Sequence, residues 1–322
     1  MTTIETLDGP LDTSQLGTVL MHEHVFNITA EIQMCHPGFN GWNPEIEVPK
    51  AQQTLRAVKQ AGIDTLVELS PIGLGRSLEL IRGACEGSRL NVVLATGLYT
   101  YDVLPRPWHF SGPGTLLDGE EPLDELMRSD LKDGIERSGV KPGILKCAID
   151  AGGLTDHVER VVRSVCRTHN DTGVPICIHT SAPHERGRDA LRILDEEGVD
   201  PRRVMLAHCG DTTDLDYLET LAASGALLGM DRFGLDILLP FDQRVSTVVA
   251  MCERGHADKM ILSQDASCFT DWFPPGLREQ ATPNWHFLHV TSDVLPALRE
   301  RGVSEAQIDQ MLRHNPRTFF ER

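Results

Sequence analysis

Short apolar runs alternate along the chain with longer stretches in which apolar residues recur at helical spacing. The segment Val174-Pro175-Ile176-Cys177-Ile178 is typical of the runs, because it is almost continuously apolar. Such runs are characteristic of parallel strands, which are buried on both faces. Eight strands are predicted on this basis, at 18–22, 65–69, 92–97, 143–149, 175–180, 204–208, 226–231 and 260–264.

Amphipathic stretches separate these runs. They predict helices at 48–60, 123–137, 157–169, 186–197, 213–223 and 241–255. The repeated alternation of strand and helix predicts an α/β protein with a (β/α)8 TIM barrel, as a single domain over residues 1–322. A doubly wound open sheet has the same alternation. It is disfavoured because Gly73-Leu74-Gly75 does not continue as the nucleotide-binding pattern G-x-G-x-x-G.

Composition narrows the classes of partner. The formal net charge of −17 disfavours binding to nucleic acid or to an anionic membrane surface, both of which carry the same sign. We find no secretory signal and no apolar run long enough to span a membrane, so a cytoplasmic location is expected. The eight cysteines are spread singly without a C-x-x-C pair, which favours reduced core thiols over disulfides.

Residues that bind metals stand at the ends of several predicted strands. In His22-Glu23-His24, alternate residues share one face of a strand, so both imidazoles can bind one ion. Such a pair is weak evidence alone, but His179, His208 and Asp265 also follow apolar runs. The C-terminal ends of barrel strands converge on one mouth, so these side chains are expected to meet there. The set predicts a metal site.

Lys146 lies inside the apolar fourth run, where an unpaired ammonium costs several kcal/mol. Two interpretations are open. Lys146 could form an ion pair with a nearby carboxylate such as Asp150. Alternatively, it could be a neutral amine that reacts with carbon dioxide, and the resulting carbamate could bridge two divalent cations.

The segment Gly17-Thr18-Val19-Leu20-Met21-His22-Glu23-His24 resembles the N-terminal signature of the phosphotriesterase family in the amidohydrolase superfamily. The resemblance covers nearly the whole chain. It implies that His22, His24 and Asp265 bind a more buried metal ion and that His179 and His208 bind a more exposed one. Carboxylated Lys146 would bridge the two divalent ions. Zinc is favoured, with cobalt, manganese and iron as alternatives.

Within the family, the chain looks closest to the phosphotriesterase-like lactonases that hydrolyse N-acyl-homoserine lactones and so quench quorum sensing. The residues that carry this likeness are Gly97-Leu98-Tyr99, 231–236 and 265–272. The likeness implies a small-molecule lactone substrate, a homodimer and weak phosphotriesterase activity. It also implies that Tyr99 lies beside the metals, that Arg232 shapes the substrate pocket and that Trp272 lies on the loop that covers it.

The implied chemistry assigns a role to several of these residues. A hydroxide that bridges the metals would attack the ester carbon, and Asp265 would carry a proton to the ring oxygen. Tyr99 would donate a hydrogen bond to the developing oxyanion. Glu23 is expected on the opposite strand face as a structural carboxylate. Arg232 either positions substrate or forms a salt bridge with Asp231.

Three other functions remain open from the sequence. The chain could be an organophosphate triesterase that uses the same metals, or a hydrolase of another lactone or ester. It could also be a noncatalytic barrel that only binds a metal or ligand, although six residues of ligand type disfavour that interpretation.

Overall fold

The computed structural model describes residues 2–321, which form a (β/α)8 barrel preceded by a short β-hairpin. The strands of the hairpin are β1 (Thr3–Thr6) and β2 (Gly9–Asp12). The eight barrel strands are β3 (Val19–Asn27), β4 (Thr65–Glu68), β5 (Asn91–Gly97), β6 (Ile144–Ile149), β7 (Ile176–Thr180), β8 (Val204–Ala207), β9 (Leu227–Met230) and β10 (Met260–Leu262).

Every neighbouring pair from β3 to β10 is parallel. One further strand, β11 (Ser267–Thr270), pairs in parallel with β3. The last strand meets the first at the mouth, where the backbone N–H of Asp265 donates to the carbonyl oxygen of His22 at 3.1 Å. The predicted barrel is therefore confirmed.

Helices cover the outside of the strands and the rims of the barrel. The α-helices are α1 (Ala30–Cys35), α2 (Pro44–Gln60), α3 (Leu78–Cys85), α4 (Arg106–Phe110), α5 (Pro122–Asp133), α6 (Asp156–Thr172), α7 (Arg186–Glu196), α8 (Leu215–Ala223), α9 (Phe241–Glu253), α10 (Leu277–Ala281), α11 (Leu295–Glu300), α12 (Glu305–Asp309) and α13 (Asn315–Glu321). Single π-helical turns precede α11 and α13, at Val290–Val294 and Gln310–His314. No helix within residues 2–321 is long and apolar enough to cross a membrane.

Helix α6 shows how local sequence sets an element. The side chain of Thr155 caps its first turn by accepting from the backbone N–H of Val158, and Gly173 ends it at a φ of 73°. Val158, Val161 and Val165 bury one face of the helix against the core.

The six predicted helices are all present, whereas α1, α3, α4 and α10 to α13 were not predicted. Most of these seven have only five to seven residues, too few to show a helical repeat.

The core has two layers separated by the strands. Inward side chains such as Val19 and Met21 fill the barrel, whereas the outward Leu20 packs under the helices. The pairing of β3 with β4 shifts register between Leu20 and Glu23. His22 therefore also faces inward, directly after the inward Met21, and lines the cavity at the barrel mouth. Irregularities of this kind re-aim side chains beside active sites.

Candidate metal centre

All six predicted ligands line one cavity at the C-terminal mouth of the barrel. Strand β3 supplies His22 and His24, β6 supplies Lys146, β7 supplies His179, and His208 and Asp265 follow β8 and β10. The other residues around the cavity are Asn27, Leu74, Tyr99, Arg232, Trp272 and Trp285. The cavity has a volume of about 20 Å³, room for roughly one water molecule, so a substrate must displace side chains at the mouth.

His22, His24 and Asp265 form one tight group of ligand atoms. The Oδ1 atom of Asp265 lies 3.0 Å from Nε2 of His24 and 3.5 Å from Nε2 of His22. All three side chains are buried. Two imidazole nitrogens and one carboxylate oxygen at these separations can bind a single ion of the zinc type.

A second group of ligand atoms adjoins the first. Nε2 of His208 lies 2.9 Å from Nδ1 of His179, and 3.9 Å from Oδ2 of Asp265. The backbone of His208 has a φ of 65°, and that of Asp265 has a φ of 55°. These left-handed conformations are uncommon outside glycine and cluster at functional sites. His208 and Asp265, the two ligands that follow a strand end, therefore have strained backbone conformations.

Lys146 lines the same cavity and is 1 % exposed. Its Nζ atom lies 3.3 Å from Nε2 of His22 and 3.4 Å from Sγ of Cys177. Among residues 2–321, no carboxylate oxygen lies within 4.0 Å of Nζ. Asp150, the partner considered from the sequence, lies 3.5 Å from Nε2 of His179 instead. The interpretation of Lys146 as an ion-pair partner of Asp150 is therefore wrong.

Asp231 orients two of the imidazoles from behind. Its carboxylate accepts from Nδ1 of His22 at 2.7 Å, and from Nδ1 and the backbone N–H of His208 at 3.0 and 2.7 Å. Burial alone would raise the pKa of Asp231, but the contacts with His208 and His22 outweigh it and hold that pKa well below its ordinary value. With Nδ1 engaged, both rings present Nε2 to the cavity.

His24 is oriented by a separate relay. Its Nδ1 atom lies 2.8 Å from the hydroxyl of Ser70, which donates to Glu68. Glu68 also accepts from the backbone N–H of Val25, so the relay is tied to β3 itself. Carboxylates and hydroxyls behind a histidine ring fix its tautomer and orientation in metal sites.

Electrostatics keeps the donors in the forms that bind metals. Burial lowers the pKa of His22 to about 4 and that of His208 well below its ordinary value. Burial would raise the pKa of Asp265, but the contacts with His22 and His24 hold it well below its ordinary value. Neutral imidazoles and an ionised carboxylate therefore converge at neutral pH, and this donor set fits divalent zinc, cobalt, manganese or iron.

Glu23 points away from the cavity, as the alternation along the strand predicts. Its carboxylate accepts from the hydroxyl of Ser263, from the backbone and side-chain amides of Gln264, and from the backbone N–H of Ala266. The distances are 2.7, 3.0, 2.9 and 2.9 Å. Glu23 thus holds the backbone on both sides of Asp265.

Arg232 does not pair with Asp231, which corrects one of the two interpretations made from the sequence. Its Nε atom donates to Asp265 at 3.1 Å and its Nη1 atom to Asp211 at 3.0 Å. Asp211 is fixed in turn by Arg244 at 2.6 Å. The guanidinium is therefore held at the cavity wall against a predicted metal ligand.

Tyr99 and Trp272 lie where the sequence places them, around the same cavity. The ring of Tyr99 meets that of His179 edge to face, with centroids 5.4 Å apart. Trp272 follows β11 and is 49 % exposed, so it stands at the mouth.

Sequence reasoning missed several residues around the cavity. Asp231 ends an apolar run as Asp265 does, and that position could have drawn attention to it. Asn27 and Trp285 gave no comparable signal. Trp285 is buried, and its indole N–H donates to the carbonyl oxygens of Gln264 and Asp265 at 3.0 and 2.9 Å.

Comparison with known proteins agrees with this geometry. The sequence matches the model of the phosphotriesterase family over residues 2–320. A phosphotriesterase homology protein of Mycobacterium tuberculosis is 50% identical, with 100% of this chain and 98% of the relative covered. An aryldialkylphosphatase of Saccharolobus solfataricus is 32% identical, with 96% of each chain covered.

The fold of a solved structure is also similar. The structure of the phosphotriesterase from Mycobacterium tuberculosis superposes with a TM-score of 0.97 at 50% identity, covering 99% of this chain and 98% of that chain. Sequence and structure therefore agree over nearly the full length, and the chain belongs to the phosphotriesterase family of hydrolases.

Proposed function

We propose that the protein is a metal-dependent lactonase that hydrolyses the ester bond of N-acyl-homoserine lactones. The observation that carries the choice of substrate is Asn27. This side chain is 2 % exposed, lines the cavity, and its Oδ1 atom has no hydrogen-bond partner among the described residues. A buried acceptor without a partner costs about 1–3 kcal/mol, so a ligand that donates to it gains affinity.

The acyl amide of the proposed substrate provides that donor. An N-acyl-homoserine lactone carries one amide N–H next to the lactone ring, whereas a phosphotriester such as paraoxon carries no N–H at all. Asn27 therefore favours the acylated lactone over the phosphotriester.

The residues that would hold the metals are those of the two groups described above. His22, His24 and Asp265 would hold one ion, and His179 and His208 the other. Bound there, divalent cations would lower the pKa of a water molecule to about 7 and polarise a carbonyl oxygen.

Lys146 would bridge the two groups as a carbamate. In that reaction the neutral amine forms an N–C bond to carbon dioxide and releases one proton, leaving a carboxylate with one negative charge. The absence of any carboxylate within 4.0 Å of Nζ, among the residues described, supports this role. Burying an ammonium group without a counterion costs several kcal/mol, and conversion to a carbamate removes that cost.

Asp265 and Tyr99 would act on the substrate. The carboxylate of Asp265 can accept the proton of the attacking water and deliver it to the ring oxygen as the ester bond breaks. Arg232 and His24 hold that carboxylate in place, at 3.1 and 3.0 Å. Burial raises the pKa of Tyr99 above its ordinary value, so its hydroxyl stays protonated and can donate to the carbonyl oxygen.

Phosphotriester hydrolysis is the second candidate, because one relative that is 32% identical is named an aryldialkylphosphatase. A phosphotriester carries no N–H group and so leaves Oδ1 of Asn27 without a partner. We therefore expect only weak phosphotriesterase activity.

The decisive comparison is between the two classes of substrate. With metal-loaded enzyme, we expect kcat/KM for an N-acyl-homoserine lactone to exceed that for paraoxon. The comparison should be made at one pH with the same metal preparation, over a series of acyl-chain lengths. Faster hydrolysis of paraoxon would contradict the lactonase proposal and support phosphotriesterase activity instead.

Replacing Asn27 by leucine tests the role of the amide contact. Leucine is similar in size but cannot accept a hydrogen bond, and loss of one neutral hydrogen bond corresponds to about a fivefold change. We expect kcat/KM for the N-acyl-homoserine lactone to fall about fivefold. An alkyl γ-lactone, which lacks the amide, serves as the matched substrate and should be hydrolysed at an unchanged rate. Equal losses of kcat/KM on both substrates would show that Asn27 does not bind the amide group of the acylated lactone.

A further inference from the structure

We propose a second kind of metal site in this chain, formed by His286, His289 and Asp293 and suited to Zn²⁺ or a similar divalent cation. These residues lie between α10 and α11, apart from the six ligands of the candidate metal centre. One ligand atom from each lies within 4.8 Å of the other two. The proposal does not depend on which reaction the enzyme catalyses.

The local backbone brings the three side chains together. The backbone N–H of His289 donates to the carbonyl oxygen of His286 at 3.1 Å, which closes a tight turn between the two histidines. Asp293 follows His289 by four residues, on a π-helical turn. Such turns are rare and recur at functional sites.

The distances suit shared coordination. Nδ1 of His289 lies 3.1 Å from Oδ2 of Asp293, and the rings of His286 and His289 meet with centroids 5.7 Å apart. Two ligands of a tetrahedral zinc ion, each at about 2.1 Å from it, lie roughly 3.3 Å from each other. His286 is exposed and can move the remaining distance, whereas His289 is buried and already fixed.

The donors are in forms that bind metals. Burial lowers the pKa of His286, and the neighbouring His289 lowers it further. Hydrogen bonds from Ser292 and His289 lower the pKa of Asp293, which is therefore a carboxylate. The nitrogen of His289 that would bind the ion is Nδ1, which faces Asp293. Nε2 of the same ring has no partner among the described residues, but it points away from Asp293 and is not part of the site.

Solvent reaches the cluster through its exposed members. The side chain of Asp293 is 52% exposed, while that of His289 is only 3% exposed. The overall negative charge of the chain also favours cations near its surface. A divalent ion could thus bind without opening the core.

The cluster adjoins the segment that supports the candidate metal centre. The backbone N–H of Val290, next to His289, donates to Oε1 of Gln264 at 2.8 Å. Trp285, next to His286, donates to the backbone of Gln264 and Asp265. An ion at the cluster would cross-link this segment at three points, and we infer that it stabilises the backbone that carries Asp265.

The test counts metal ions in the full-length protein. Metal-free protein is titrated with Zn²⁺ in competition with a chromogenic chelator, for the unchanged chain and for His286→Ala and Asp293→Asn. Both replaced residues are exposed, so the variants should fold, which circular dichroism verifies. We expect each variant to bind one equivalent of Zn²⁺ fewer than the unchanged chain. We also expect Zn²⁺ to raise Tm less in the variants.

His256→Ala is the matched control, because His256 also pairs with a carboxylate, that of Glu219 at 3.2 Å. It belongs to no three-ligand group among the described residues, so its loss should leave the zinc count unchanged. Equal zinc counts for the unchanged chain and both test variants would overturn the proposal. Because the test compares the zinc counts of the variants with that of the unchanged chain, it remains valid whatever the barrel-mouth centre binds or catalyses.

Discussion

Lys146→Ala is expected to bind at least one metal ion per chain fewer than the unchanged chain, because the barrel-mouth centre would then hold at most one. It is also expected to lower kcat/KM for the lactone by about 10³-fold, the scale for loss of a group that stabilises transition-state charge. The physical reason is that alanine cannot form the carbamate, so the two groups of ligands lose the anion between them. Metal analysis after gel filtration and steady-state kinetics measure the two effects.

Added carboxylate distinguishes the bridging role from a merely structural one. The space left by the lysine side chain can admit a short carboxylic acid, so acetate or propionate should restore part of the activity and the second metal ion to the Lys146→Ala variant. The control is Lys50→Ala, since Lys50 is 64% exposed and pairs with Glu47 on the surface, away from the cavity. The same number of bound ions in the Lys146→Ala variant, without added acid, as in the unchanged chain would show that Lys146 does not bridge.

The barrel and the positions of the six ligands could be predicted because both follow from local sequence. Parallel barrel strands are buried on both faces and therefore appear as apolar runs. A polar residue at the end of such a run must lie at the barrel mouth once the fold is known. His179, His208 and Asp265 were found in this way, and the structure places them around one cavity.

Residues that act through contacts distant in sequence could not be placed in the same way. The partners of Arg232 are Asp265 and Asp211, not the adjacent Asp231, because the turn after β9 directs the guanidinium across the mouth. The carboxylate of Asp231 accepts a hydrogen bond from Nδ1 of His22, and the two residues are 209 positions apart in the sequence. Pairings over such separations depend on the packing of whole elements, which a strand pattern does not contain.

The inward turn of His22 shows the same limit within one strand. Simple alternation would place Met21 and His22 on opposite faces, yet both lie inside the barrel because the register of β3 shifts. The shift depends on how β3 meets β4. The short helices α4 and α10 lie in the loops after β5 and β11, where apolar spacing carries little information. The cytoplasmic location and the homodimer remain predictions.

Glu23→Leu is expected to lower the free energy of unfolding by about 4 kcal/mol. The variant removes the acceptor of four hydrogen bonds in a site where the carboxylate is 1 % exposed. The backbone N–H groups of Gln264 and Ala266 cannot turn to another acceptor, and the side-chain amide of Gln264 is held by the bond that it accepts from Val290. Each unsatisfied buried donor costs about 1–3 kcal/mol. Urea denaturation of the metal-free chain measures the effect without the contribution of bound ions.

Glu23→Gln is the matched variant, since it keeps the size and one of the two acceptor oxygens. Its amide nitrogen must face a donor on Ser263, Gln264 or Ala266, so we expect a smaller loss of about 2 kcal/mol. Because Asp265 lies between Gln264 and Ala266, the leucine variant should also bind Zn²⁺ more weakly than the glutamine variant. Unfolding free energies within 1 kcal/mol of the unchanged chain for both variants would contradict this role, because the backbone around Asp265 would then hold its position without Glu23.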